Sequence, residues 1–300
     1  MAIKYSIGKY SNLFDAVIKK LKDEKVIDRI WKKDFTVWNN DPTEISNRLG
    51  WLDSVEVTSR SLNEINHFVD EVKVAGYTNV LLMGMGGSSL APEVFRLTFG
   101  VKEGYLDLAV LDSTHPEVVM DYAKKLNPAK TLYIVSTKSG GTVETISFMK
   151  FFYNYALHIL GKEEVGKHFA AITDPGSGLQ KIAEGLNFRK IFLNDPNIGG
   201  RFSALSLFGI VPAALIGVDV EKILSIAKDE TINCKKTGKD ISENTAAIIG
   251  AIIGTLGQKG IDKLTYIISP NISFFGAWVE QLIAESTGKI GKGILPVDLE

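Results

Sequence analysis

One cysteine, four histidines and no excess of either charge in 300 residues remove several classes of protein at once. Cys234 cannot form an intramolecular disulfide, and no Cys or His stands near it at metal-ligand spacing, so a disulfide scaffold and a zinc knot are both out. A lone thiol of this kind, packed or at the surface, suits a reducing cytoplasm. His67, His115, His158 and His168 are scattered and form neither a metal pattern nor a triad; His115, before Pro116, reads as a turn residue. With 34 basic and 35 acidic residues the net charge is −1. Nothing in that balance draws a nucleic acid or an anionic membrane surface. Long apolar runs are missing too. Residues 208–218 and 246–256 are too short to span a bilayer, contain Gly or Pro, and read as buried helices. Residues 1–6 lack the apolar stretch of a signal peptide. The expectation is a soluble, cytoplasmic protein, binding no nucleic acid and no membrane, that captures any anion with a few aimed groups.

What is present is ample core material, 45% hydrophobic against 23% charged residues, in a length that favours about two domains. Residues 1–50 read as a helical arm: Leu13, Val17, Ile18 and Leu21 recur at helical spacing. Trp31, Trp38 and Trp51 follow, and large aromatics there are expected to pack the arm onto a domain. Residues 61–193 alternate. Short apolar runs at 80–83, 108–111, 132–135, 169–172 and 191–193 read as strands, separated by helices at 64–73, 90–98, 117–126, 144–160 and 179–184. That rhythm predicts right-handed βαβ crossovers and a parallel α/β sheet, doubly wound, covered on both faces. A second block follows, with helices near 203–216, 221–231, 244–256 and 274–285 but only two strands, 264–268 and 294–297. The expected division is an arm at 1–50, a first domain at 51–196 and an incomplete second domain at 197–300.

In such a sheet ligands bind beyond the carboxyl ends of the strands, where helix N-termini present free N–H groups. After the first strand comes Gly84-Met85-Gly86-Gly87-Ser88-Ser89. Glycines permit a sharp turn and a close approach, and the serines add hydroxyls. A dinucleotide fingerprint would need Gly at Ser89, and a Walker loop would need Gly-Lys-Ser/Thr, so neither applies. Alone, this loop could equally be an ordinary capped turn. After the third strand comes Ser136-Thr137-Lys138-Ser139-Gly140-Gly141-Thr142, then a helix. Hydroxyls, one lysine and a helix N-terminus suit a phosphate dianion. The alternative is a polar loop in which Thr142 merely caps the helix, although it could do both. Asp174-Pro175-Gly176-Ser177-Gly178, after the fourth strand, reads as a turn ahead of a helix.

Two further segments carry charge. In Asn197-Ile198-Gly199-Gly200-Arg201-Phe202-Ser203 the paired glycines leave room for Arg201 to enter a cleft; the commoner alternative is a surface arginine on a turn. In the stretch from Trp278 to Lys289, Gln281 and Glu285 are four apart and share a helical face. A carboxylate so placed could take a proton from beside a carbonyl. It could also be a solvated glutamate paired with Lys289.

Together these segments resemble the glucose-6-phosphate isomerase family. Gly84-Met85-Gly86-Gly87-Ser88 is similar to its Gly-x-Gly-Gly-Ser loop. Thr137 to Thr145 is similar to its phosphate loop, with Thr137 where the family often has Ser. Gly199-Gly200-Arg201-Phe202-Ser203 and Gln281 to Lys289 are similar to its arginine and glutamate segments, in the same order. The resemblance implies two sugar-isomerase (SIS-type) domains, each a five-stranded parallel sheet, and a homodimer when complete. It implies interconversion of glucose 6-phosphate and fructose 6-phosphate through a cis-enediol, with no metal and no organic cofactor. Residue by residue, Gly87, Ser88, Thr137, Lys138, Ser139, Thr142 and Gly200 would lie at the phosphate. Glu285 would move the proton, Arg201 would stabilise the enediolate, and Gln281 would position the sugar. The family's ring-opening His beyond the glutamate and its C-terminal Lys segment have no counterpart here. Two alternatives follow: a phosphosugar-binding module without catalysis, and the isomerase part of a larger bifunctional protein.

Overall fold

A computed structural model describes residues 3–298, apart from the Lys239 side chain. The elements run α1 Ser11–Asp23, α2 Val26–Trp31, α3 Ser54–Ser59, α4 Leu62–Val74, β1 Asn79–Gly84, α5 Leu90–Phe99, β2 Asp107–Leu111, α6 Pro116–Lys125, β3 Thr131–Ser136, α7 Val143–Leu160, α8 Lys162–Val165, β4 Phe169–Thr173, α9 Gly178–Gly185 and β5 Lys190–Leu193. They continue with α10 Leu207–Leu215, α11 Val220–Cys234, α12 Thr245–Gly257, β6 Lys263–Thr265, α13 Phe275–Thr287 and β7 Leu295–Val297. Each of the five expected strands of the first block is present, within two residues of its predicted ends.

Those five form one parallel sheet in the order β2-β1-β3-β4-β5. Its strands read as continuous apolar runs because helices cover both faces. One face buries Val80, Leu82, Leu132, Ile134 and Ile172 against Ile65, Phe68 and Val72 of α4 and against α10. The other buries Leu81, Met83, Tyr133, Val135 and Ala171 against Phe148 and Phe152 of α7 and Leu179 of α9. Local chemistry sets the ends of the covering helices. Pro116 starts α6 at the position where its missing N–H costs nothing. Ser177 caps α9 by accepting from the Gln180 N–H at 3.1 Å. His115 precedes α6 as its extended N-cap, in keeping with a turn residue.

The expected division after residue 196 does not mark a break in packing. Every residue of α10 is buried, and Leu207, Ile210, Val211 and Leu215 join the core of the five-stranded sheet. A helix apolar all round must be covered on all sides, and this sheet supplies the cover. The arm packs on α12. Phe14 of α1 is buried with Ile248 and Ala251 of α12, and the Trp31 indole donates to the Cys234 carbonyl at 3.0 Å. Trp51 stacks on Phe202 at 5.1 Å. Trp38 departs from the packing role expected of it and stays 47% exposed. Residues 245–257 also differ from a fully buried helix: Ala247, Ile248 and Ala251 are buried while Ile249 on the far side is exposed.

The second block holds β6 and β7, paired in parallel, as its sheet among the described residues. β6 is shorter than expected, ending at Thr265, and Ile267 is almost fully exposed. Among the described residues β7 is the strand paired with β6.

Candidate active site

In the order 2-1-3-4-5 the chain leaves β1 in one direction to β2 and then crosses to β3 on the opposite side. The reversal opens a crevice between the carboxyl ends of β1 and β3, the place where open α/β sheets take their ligands. Gly84 and Ser136 pair across it, so the loops 85–89 and 137–142 face each other. They enclose a pocket of about 230 Å³ lined by Met85, Gly87, Ser88, Ser136, Thr137, Lys138, Ser139, Thr142, Thr145 and Gly200. All seven residues expected at the phosphate are among these.

Two glycines make the enclosure possible. A Cβ on Gly87 would overlap the Gly200 carbonyl, so only glycine lets the β1 loop lie against the segment before Arg201. Gly140 has φ +68°, and a Cβ there would collide with the Leu179 backbone N–H group at the start of α9. Ser203 fastens the first of these contacts, donating to Gly200 O at 2.6 Å and Gly87 O at 3.2 Å.

The hydroxyls of the second loop are directed into the pocket. Thr142 precedes α7 in an extended conformation, yet its side chain makes no capping bond. Its Oγ1 lies 2.9 Å from Thr137 Oγ1. The capping alternative therefore fails, and the leading N–H groups of an 18-residue helix are left without a side-chain acceptor at its N-cap. Ser139 Oγ accepts from the Gly141 N–H at 3.2 Å.

Lys138 is placed differently from what its loop suggests. It lines the pocket, but its Nζ donates to Asp174 Oδ2 at 2.5 Å and to the Pro196 carbonyl at 2.8 Å. One ammonium thus joins the loops that follow β3, β4 and β5. Burial raises the Asp174 carboxyl above its ordinary range, and the Lys138 charge offsets part of that rise. Asp174 stood in the sequence as part of a turn; a 36-residue separation from Lys138 gave no sign of the pair.

Arg201 begins the short 3₁₀ turn Gly200–Leu205 and is not a free surface arginine. Its guanidinium lies 4.9 Å from the Phe202 ring, donates from Nε to Ser286 Oγ at 2.8 Å, and approaches Glu285 Oε2 at 3.6 Å from Nη1. Glu285 Oε1 accepts from Gln281 Nε2 at 2.9 Å, the i, i+4 contact that the sequence spacing predicts. Lys289 does not pair with the carboxylate; it donates to the backbone carbonyl of Glu285 at 2.6 Å. Gln281 Oε1 is buried and unpartnered among the described residues, and its amide nitrogen sits against Gly86. The carboxylate, the guanidinium and the carboxamide therefore form one cluster. Through Gly86–Gly87 and Gly200–Arg201 it adjoins the hydroxyl pocket. Ser286, Asp174, Ser136 and Thr145 were given no role from the sequence, although Thr145 and Ser286 fall inside the segments that carry the resemblance.

A larger cavity of about 600 Å³ lies between α1–α2 and α11–α12, walled by Leu21, Trp31, Trp51, Leu52 and Ala251. None of the site residues lines it, and its mostly apolar walls carry no lysine or arginine. Cys234 opens onto it with its thiol pushed up to about 11, mainly by burial, so it is a poor nucleophile. No group of three or more His, Cys, Asp or Glu suited to a metal occurs among the described residues. No described helix is long and apolar enough to cross a membrane.

Comparison with known proteins adds an independent line. The family described as phosphoglucose isomerase matches residues 51–293. A Methanococcus maripaludis protein named probable glucose-6-phosphate isomerase is 33% identical over 261 residues, covering 85% of this chain and 57% of its own. Glucose-6-phosphate isomerase of Thermus thermophilus is 30% identical over 255 residues, with coverage of 83% and 58%. Among solved structures, glucose-6-phosphate isomerase of Chlamydia trachomatis superposes with a TM-score of 0.78 at 18% identity, over 96% of this chain and 58% of that one. That likeness speaks for the fold. The chain thus spans a little over half the length of these two curated relatives.

Proposed function

The chain belongs to the phosphoglucose isomerase family, and from that premise we propose that its crevice binds glucose 6-phosphate and fructose 6-phosphate and interconverts them by moving a proton between C2 and C1. The observation that carries the reading is the meeting of Glu285, Arg201 and Gln281 beside the hydroxyl pocket, from segments 80 residues apart in sequence.

The pocket takes the phosphate. Ser88, Thr137, Ser139 and Thr142 supply hydroxyl donors, and α7 presents its N-terminal N–H groups and the positive end of its dipole. Lys138 acts there through the loops it anchors, its charge being offset by Asp174. The phosphate fixes one end of the sugar, so C1 and C2 lie toward Glu285. The carboxylate takes the proton from C2 of the open-chain aldose, the electron pair forms the C1–C2 double bond, and the carbonyl oxygen gains the negative charge. The Arg201 guanidinium stabilises that charge, since it cannot lose its proton and is already held by Ser286 and Phe202. The O2 hydroxyl gives its proton to O1, and the electrons re-form a carbonyl at C2. Glu285, whose carried proton exchanges with solvent during its lifetime there, protonates C1 to give the ketose. Gln281 offers its free carbonyl oxygen to a sugar hydroxyl.

Ring opening has no assigned acid–base group among the 300 residues, since no histidine follows Glu285. The second reading, a phosphosugar-binding module, draws support from the two-stranded second sheet, which leaves apolar residues such as Ile267 and Leu295 exposed. Calorimetry with fructose 6-phosphate, alongside isomerisation coupled to detection of glucose 6-phosphate, separates the readings. We expect binding with turnover below the ~10 s⁻¹ of a typical enzyme. No binding to either sugar phosphate would sink both readings.

A further inference from the structure

Two hydroxyls at the pocket are buried and bonded to nothing. Ser136 closes β3 and Thr145 sits in the first turn of α7. Each is 0% exposed, each lines the pocket, and neither Oγ has a hydrogen-bond partner among the described residues. The other loop hydroxyls are engaged: Thr137 with Thr142, and Ser139 with the Gly141 N–H.

Such isolation is costly and avoidable. A buried hydroxyl without a partner loses its hydration with nothing in return, and an apolar side chain of the same shape would spare that loss. Some helical hydroxyls in this chain satisfy themselves locally. Ser147 donates to the Val143 carbonyl and Thr287 to the Ile283 carbonyl, each at 2.8 Å. Thr145 does neither. The hydroxyls of Ser54, Thr98 and Thr255 are, like that of Thr145, buried without a partner among the described residues, but they lie outside this pocket. The β3 backbone around Ser136 is wholly buried among apolar residues, where a serine gains nothing from packing.

We propose that Ser136 and Thr145 form the floor of the anion pocket and donate hydrogen bonds to the phosphate oxygens of a bound phosphate monoester, below the donors of the loop. The inference rests on the phosphosugar reading above and adds two ligand-binding residues to it. A phosphate dianion has oxygens enough to accept from the loop hydroxyls, the α7 N–H groups and these two.

The test uses Ser136→Ala, Thr145→Val and Thr145→Ser in the full chain, with inorganic phosphate and fructose 6-phosphate as probes. Melting without ligand is measured first. Because Ser136→Ala and Thr145→Val each remove an unpaired group, the ligand-free Tm is expected to stay level or rise. Affinity for both probes is expected to fall about tenfold in each, and the phosphate-induced rise in Tm to shrink with it. Thr145→Ser keeps the hydroxyl and should keep most of the affinity. Wild-type affinity in both Ser136→Ala and Thr145→Val overturns the inference while leaving the phosphosugar reading standing. So does a Thr145→Ser variant that binds as weakly as Thr145→Val, because shape and not the hydroxyl would then matter. A wild-type chain that binds neither probe overturns the reading and the inference together.

Discussion

Replacing Lys138 by methionine removes the cation that joins the loops after β3, β4 and β5. Methionine keeps most of the stem, so the change is chiefly one of charge and hydrogen bonding. Asp174 is left with neither carboxylate oxygen partnered, since its Oδ1 has no partner already. The side chains are 25% and 12% exposed, so solvent can replace the ammonium only in part. Breaking a fully buried pair costs about 3–5 kcal/mol; with this exposure about 2–3 kcal/mol is expected for Lys138→Met. Two controls follow from the same geometry. In the pair Lys138→Met/Asp174→Asn no charge is stranded, so the loss should shrink to about 1 kcal/mol. The penalty of Lys138→Met should also shrink as the pH falls. Burial already raises the Asp174 carboxyl, Lys138 opposes that rise, and without Lys138 the folded carboxyl takes a proton at higher pH still. The folded state then binds more protons than the unfolded one, so stability is regained as pH falls through the raised value. Binding should follow the same pattern. An uncompensated carboxylate beside the anion pocket weakens fructose 6-phosphate by about tenfold, whereas the neutral double variant stays within about threefold of wild type. Urea unfolding from pH 5 to 8 and calorimetry provide the readouts. Equal losses in the single and double variants at every pH would refute the reasoning.

Thr142→Ala removes a donor to a charged phosphate and should cost about 1.5–3 kcal/mol of phosphosugar affinity, while the melting temperature changes little because Thr142 makes no capping bond. Gly87→Ala forces the β1 loop away from the Gly200 carbonyl; a shift of about 1 Å between Ser88 and Arg201 should lower isomerisation about 100-fold, and activity within threefold of wild type would show that the contact is dispensable. His168 is held neutral by burial, below its usual value of 6.5. As pH falls through 6.5 the unfolded chain gains a proton that the folded ring resists, so the wild-type Tm should fall faster between pH 7.5 and 5.5 than that of His168→Asn. Parallel Tm curves would remove His168 from the account.

The first sheet was legible because its signals are local. Strands buried on both faces leave unbroken apolar runs such as Leu132–Val135, and the loops after them are short and rich in Gly, Ser and Thr. The spacing of Gln281 and Glu285 likewise carried their contact. Long-range pairings were not legible. Nothing near Lys138 in sequence says that Asp174 holds its ammonium. Nor does anything near Arg201 point to Ser286, except that Ser286 follows Glu285. Thr145 lies in the first turn of a helix, at the end of the segment that resembles the phosphate loop, and its absence of a partner at full burial is visible in the structure alone. The α10 helix shows the same limit at the level of packing. Its apolar sequence requires burial but does not say which sheet it covers.

The central claim is that Glu285 carries the proton between C2 and C1. It is tested most directly by incubating the chain with fructose 6-phosphate in deuterium oxide and following deuterium at C1 by NMR, for wild type and Glu285→Gln. The amide preserves the shape and the contacts with Gln281 and Arg201 in outline, but it cannot accept a proton. The account predicts exchange in wild type, a rate at least about 10²-fold lower in Glu285→Gln, and calorimetric affinity for fructose 6-phosphate changed by less than about tenfold. Exchange in Glu285→Gln at the wild-type rate would contradict it and give the base to another residue.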